Sequence, residues 1–144
     1  TGFPGETEED FEELCSFVQE AQFQRLGCFA FSPEEGTPAA KLPDQIPEDV
    51  KQRRRDIVME EQQRVSDRYN EQQIGKTVTV LVESYDRYAE CWFGRSEADA
   101  PDIDGKVFFA APAGTVQPGD MRRIRITDTM DWDLMGEMVD ESAE

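Results

Sequence analysis

"GKTVTVLVES", residues 75–84, is where the chain changes character. Val78, Val80 and Val82 alternate with Thr77, Thr79 and Leu81, a period of two that belongs to a half-buried strand and not to a helix. Upstream of it the apolar spacing is helical. The pattern predicts a helix that opens near Pro47, runs to about Gln72 and is stopped by Gly75. Its apolar positions, Val50, Ile57, Val58, Val65 and Tyr69, form only a thin stripe, which suits a surface or bridging helix. The run Arg53-Arg54-Arg55 on that helix is flanked by Asp49, Asp56, Glu60 and Glu61, so pairing within the chain accounts for it better than a nucleic-acid patch does.

Downstream, short strands alternate with turns. After a turn near Asp86-Arg87 comes "AECWFGR" (89–95), then the loop "SEADAPDIDG" (96–105) and the strand "KVFFA" (106–110). The turn "QPGD" (117–120) leads to "MRRIRIT" (121–127), and "DLMGEMV" (133–139) makes a fifth strand. Five short strands in this span predict a small closed antiparallel β-barrel of OB-like type over residues 74–144. The acidic end "VDESAE" (139–144) reads as a frayed terminus.

Upstream of the long helix the signals are those of an α/β protein. In 8–22, Phe11, Leu14, Val18 and Ala21 line one helical face. Thr7 and Asp10, three apart, suit a capping box. The nearly continuous apolar run "RLGCFAF" (25–31) is the pattern of a strand covered on both faces, as in a parallel sheet. A turn, a helix and a covered strand make the second half of a βαβ unit, so a parallel strand ending at about Thr1 is expected before them. Residues 32–47 hold four of the eight prolines and read as an ordered, irregular connector. The expected organisation is therefore the end of a barrel over 1–46, a linker helix over 47–73 and a β-barrel over 74–144.

Composition narrows the chemistry. The 144 residues carry 32 acidic and 15 basic side chains, a formal charge of −17, divided −9 over residues 1–73 and −8 over 74–144. Most affinity for nucleic acid comes from neutralising phosphates with Lys and Arg, so a basic partner fits this chain better. There is no histidine, which removes the commonest general base. Cys15, Cys28 and Cys91 form no CxxC pattern, which argues against a disulfide, zinc or an iron–sulfur cluster held by these residues alone. No run reaches the ~18 apolar residues a membrane helix needs, and no secretory signal is visible; the expected setting is cytosolic.

"GFPGETEEDF" (2–11) followed by "FSPEEGTPAAKLPDQIPEDVKQRR" (31–54) resembles the last part of the radical-SAM barrel of the methylthiotransferase family. "DAPDIDGKVFF" (99–109) inside a five-stranded module resembles that family's C-terminal TRAM domain. Within the family, "LPDQIPEDVKQRR", "MEEQQRVS" and "GRSEADAPDIDG" look most like the ribosomal-protein branch, the RimO-type enzymes. The resemblance implies a C-terminal remnant of a radical-SAM (TIM-like) barrel joined to a TRAM barrel. It implies a parent that adds a methylthio group to the β-carbon of an aspartate of small-subunit ribosomal protein twelve. That parent would use S-adenosylmethionine and two [4Fe-4S] clusters whose cysteines are not in this chain, so these residues alone are expected to be inactive. The alternatives are a tRNA (adenosine) methylthiotransferase fragment and a stand-alone TRAM-type RNA-binding module.

The resemblance also assigns candidate residues. Gly2, Phe3, Pro4, Gly5 and Glu6 match the strand-end motif that lines the S-adenosylmethionine pocket, and Phe31, Ser32 and Pro33 match the next strand end. Glycines there would let backbone approach a ligand, and the following helix N-terminus would favour a carboxylate; a plain strand-to-helix turn is the structural alternative. Tyr85, Tyr88, Trp92, Phe93, Phe108, Phe109 and Trp132 could stack bases while Arg122, Arg123 and Arg125 meet phosphates, or could simply build a core. Asp99, Asp102 and Asp104 in the 96–105 loop are the candidates for meeting a basic ribosomal protein. The chain is read as a monomer, with no catalytic or metal-ligating residue of its own.

Overall fold

The computed structural model describes residues 1–139, so most of the expected frayed end lies outside the described residues. The chain divides into two compact units, Thr1–Val65 and Ser66–Glu144. In the first, α1 (Glu8–Ala21) opens on the expected capping box: Thr7 accepts from the Asp10 amide and the Asp10 carboxylate accepts from the Thr7 amide. Gln22 closes it in the left-handed conformation. Phe11 and Val18 of α1 pack with Val58, and Leu14, Cys15, Leu26 and Cys28 complete a small core.

Residues 25–31 differ from the expected strand. They form no strand among the described residues, and they are covered on one face only. Leu26 and Cys28 turn into the core, whereas Phe29 is 84% exposed. The pairing they do make is informative. The Thr1 amino group donates to the Phe29 carbonyl at 2.8 Å, and the Phe31 amide donates to the Thr1 carbonyl at 2.8 Å. One residue bonded to two that flank a third is the parallel pattern, not the antiparallel one.

The second helix, α2 (Glu48–Glu71), runs through the division between the units. Its buried face is polar where an apolar stripe was expected. Lys51, Arg54, Val58, Gln62, Ser66 and Asn70 are buried at helical spacing, while Ile57 is 38% exposed. Sequence periodicity that scores only apolar residues misses such a face, because its buried side chains are polar and held by hydrogen bonds. Gln62, for example, donates to the Phe23 carbonyl at 2.8 Å.

The second unit is the expected closed barrel, of β1 (Thr77–Asp86), β2 (Cys91–Arg95), β3 (Val107–Ala110), β4 (Met121–Met130) and β5 (Asp133–Met138). Strand order around it is β1-β2-β3-β5-β4. The expectation of a wholly antiparallel barrel is corrected at one seam, where β3 and β5 run parallel. The cause is geometric: directions cannot alternate all the way round a ring of five strands. The parallel pair falls between β3 and β5, which the whole of β4 separates in sequence, as such a connection requires. Val80, Val82, Val107, Phe109, Ile124, Ile126 and Leu134 fill the interior. Gly94 lets β2 close on β1, since a Cβ there would run into the Leu81 carbonyl and the Val80 side chain.

Candidate functional site

Of the residues named from the N-terminal motif, Phe3 meets Phe31 within the first unit. Gly2 and Gly5 have φ of +77° and +86°, which turn the chain from the Thr1 pairing into α1. The Phe3 and Phe31 rings meet edge to face with centroids 5.1 Å apart. Gly2 packs so tightly on Lys51 that a Cβ there would overlap the Lys51 stem.

Glu6 is a brace. Its carboxylate accepts from the Gly2 amide at 3.0 Å and from Arg54 at 2.7 Å. Arg54 also donates to the Glu6 carbonyl at 3.2 Å and to Glu8 at 3.0 Å, and its guanidinium lies 5.5 Å from the Phe11 ring centre. Lys51 does the same for the neighbouring chain end: its ammonium donates to the Phe31 carbonyl at 2.9 Å and pairs with Glu48 at 2.9 Å. Sequence reading named neither Lys51 nor Arg54 as part of this site. The available signal was their spacing of three, which puts both on one helical face.

This geometry fits S-adenosylmethionine in part. Phe3 is half exposed, and nothing lies within 4 Å of where a Gly5 side chain would be, so an apolar ring and open backbone are on offer. The expected role of the helix N-terminus is not supported. Thr7 already caps it, and Glu8, Glu9 and Asp10 occupy its first turn, so an incoming carboxylate would meet three others. Ser32 donates to Glu34 at 2.7 Å. Among the described residues no group of three or more metal-ligating side chains is brought together. Burial pushes the Cys15 thiol up, with Glu61 adding to it, and burial and then Asp86 do so for Cys91.

On the barrel, the three candidate aspartates divide. Asp99 is 7% exposed and its carboxylate accepts from the Ser96 hydroxyl at 2.7 Å and the Ser96 amide at 3.2 Å. Asp104 accepts from the Ala100 amide at 2.7 Å. Asp102 stands exposed at φ +60°, next to Ile103, which is 84% exposed. Of the aromatics, Phe109 is core and Trp92 packs against it, Phe93 and Phe108 pair 5.9 Å apart with Lys106 over Phe93, and Tyr88 is fully exposed. Two of the three candidate arginines pair with acids, Arg122 with Asp120 at 2.8 Å and Arg125 with Glu137 at 2.9 Å.

Residues 74–139 match the TRAM domain model, so the class of the barrel is that of a TRAM domain. Nearly the whole chain is similar to RimO-type methylthiotransferases. It is 52% identical over 139 residues to the ribosomal protein uS12 methylthiotransferase RimO of Geobacter sulfurreducens, covering 96% of this chain and 31% of that protein. It is 50% identical over 144 residues to the same enzyme of Syntrophotalea carbinolica, covering 99% and 31%, and 47% identical over 139 residues to that of Acinetobacter baumannii, covering 96% and 31%. The chain thus spans about a third of the length of the curated relatives it matches. No helix among the described residues is long and apolar enough to cross a membrane.

Proposed function

We propose that this chain is the C-terminal part of a cytosolic radical-SAM methylthiotransferase that acts on an aspartate of ribosomal protein uS12. Residues 1–46 are the closing segment of its catalytic barrel, and the acidic TRAM domain docks the basic substrate. The observation that carries this reading is the parallel bond pair joining Thr1 to Phe29 and Phe31. On this reading Gly2–Glu6 and Phe31–Ser32 are two neighbouring strand ends on one side, and the C-terminal ends of parallel strands are where barrel enzymes bind and react. The exposed Phe29 face is then the side that other barrel strands would cover. In the complete enzyme Phe3, Gly5 and Phe31 contribute apolar and backbone surface to S-adenosylmethionine, which supplies the radical chemistry with clusters held elsewhere. Lys51 and Arg54 set the two strand ends at a fixed spacing.

Charge favours the protein substrate over tRNA. The net −8 over residues 74–144 and the engaged Arg122 and Arg125 oppose a phosphate backbone and suit a cationic protein. Purified uS12 and tRNA are each titrated against the chain at two salt concentrations. Binding of uS12 that weakens with salt, and that is reduced when Asp102 and Asp104 are both changed to lysine, is the expected result. Tight, steeply salt-dependent binding of tRNA with none of uS12 overturns it.

A further inference from the structure

A stretch of β1 has no neighbour on one side. In β1 the even-numbered residues bond toward β4: the Val82 amide donates to the Asp120 carbonyl at 2.8 Å, and the Ile126 amide donates to the Lys76 carbonyl at 2.8 Å. The odd-numbered residues therefore direct their amides and carbonyls toward β2. Leu81 is met there by Arg95, the last residue of β2. Beyond that pair the chain is drawn away by the Ser96–Asp99 turn, in which the Asp99 amide donates to the Ser96 carbonyl at 3.2 Å and the Asp99 carboxylate grips Ser96. Thr77 and Thr79 are left facing open space, and among the described residues no backbone bond reaches them from that side.

That open edge lines a groove of about 510 Å³, walled by Tyr69 and Gln73 of the helix side and by Ser96 and Glu97 of the turn. Among the described residues Glu97 is the one charged residue lining it. An exposed strand edge is a template for another strand, and main-chain bonding with side-chain pockets is a recurrent way of holding an extended peptide. We infer that the Thr77–Thr79 edge takes up an extended, basic segment of a protein partner as a short added strand continuing the line of β2. The inference rests on the proposed docking of a basic ribosomal protein for the partner's identity, and on the strand parity alone for the mode of binding.

Amide hydrogen exchange on the full chain tests it, with two probes used separately: purified uS12 and a synthetic octapeptide of alternating lysine and valine. Without a probe, Val78 and Val80 exchange slowly and Thr77 and Thr79 rapidly, because only the first two bond within the barrel. Either probe is expected to slow Thr77 and Thr79 by about tenfold or more. Thr79→Pro removes an amide that the β4 ladder does not use, as proline on an edge strand allows, and is expected to abolish the effect. Glu97→Lys, in the exposed turn, is the second variant and is expected to weaken both probes with the barrel intact.

If uS12 binds while the exchange at Thr77 and Thr79 is unchanged, the added-strand inference fails and the substrate reading stands. If the octapeptide protects these amides and uS12 does not bind, the substrate reading fails and the edge stands. Slow exchange of Thr77 and Thr79 in the chain alone, protection that grows with chain concentration, or protection by tRNA in place of the peptide would each overturn the inference.

Discussion

Arg54 lies 2.7 Å from the carboxylate of Glu6, a guanidinium 5% exposed gripping a residue 48 positions away in the chain. The same carboxylate accepts from the Gly2 amide, so one ion pair ties α2 to the glycine turn. Burial of Arg54 opposes its charge, but the bonds to Glu8 and Glu6 outweigh that and hold its pKa above the ordinary value.

Removing this guanidinium strands the Glu6 carboxylate in a partly buried place. Arg54→Ala is expected to destabilise the first unit on the order of 3 kcal/mol, the scale of breaking one side of a buried pair. Arg54→Lys should recover only part, because a single ammonium cannot span two carboxylates and a carbonyl as the fork does. Denaturant unfolding checks both, and a wild-type midpoint in the alanine variant would show that Glu6 needs no partner.

The Asp10 carboxyl is held below its ordinary 3.8, first by the bond from the Thr7 amide and then by the Thr7 side chain. A lowered folded value means that its contribution is fully present above about 3.8 and fades as pH falls through the lower folded value. Asp86 behaves alike through the Ala89 and Tyr88 amides. A carboxyl titration by NMR should find both midpoints below 3.8, and Asp10→Asn should remove the acid-range shift of the Thr7 amide. A midpoint at or above the ordinary value would remove the capping argument.

The barrel was legible because its signals are local: alternation at Val78, Val80 and Val82, the turn at 117–120 and the spacing of five apolar runs. Every strand is found within two or three residues of its expected bounds. What periodicity cannot carry is pairing direction, and the parallel β3·β5 seam follows only once the ring is known to close. The polar face of α2 was hidden for a different reason. Lys51, Arg54, Gln62 and Asn70 look like surface residues in the sequence, and only their partners make them interior. At the candidate site, family resemblance named Phe3 and Phe31, whose rings meet. The bracing of the glycine turn by Lys51 and Arg54 was not legible.

Close approach at Gly94 makes a sharp test of the β1·β2 seam. In Gly94→Ala the new methyl meets the Leu81 carbonyl, which the sheet cannot move freely. The expected cost is about 1–3 kcal/mol, as for other overpacked interiors, read as a lower unfolding midpoint of the barrel. An unchanged midpoint would mean that the seam is looser than this packing.

Thiol chemistry should be slow. With Cys15 and Cys91 both raised by burial and by nearby carboxylates, less thiolate is available at a given pH. Alkylation at pH 8 is expected to run slower at these two than at a small free thiol. Rates equal to or above the free thiol would contradict the described burial.

Asp99 and Asp102 sit three residues apart in one acidic loop and should fail in opposite ways. Asp99→Ala leaves the Ser96 amide and hydroxyl without the carboxylate that holds them, so it is expected to destabilise the barrel by about 1–3 kcal/mol. Among the described residues the exposed Asp102 makes no such bond, and Asp102→Lys should leave the unfolding midpoint within about 0.5 kcal/mol of the parent while weakening uS12 by reducing its encounter rate. Stability is read by denaturant and association by stopped flow at low and moderate salt. Should Asp99→Ala slow association without changing stability, the loop's buried carboxylate is a partner contact and the staple is unnecessary. Should Asp102→Lys leave the rate untouched at both salts, the exposed carboxylate has no part in docking.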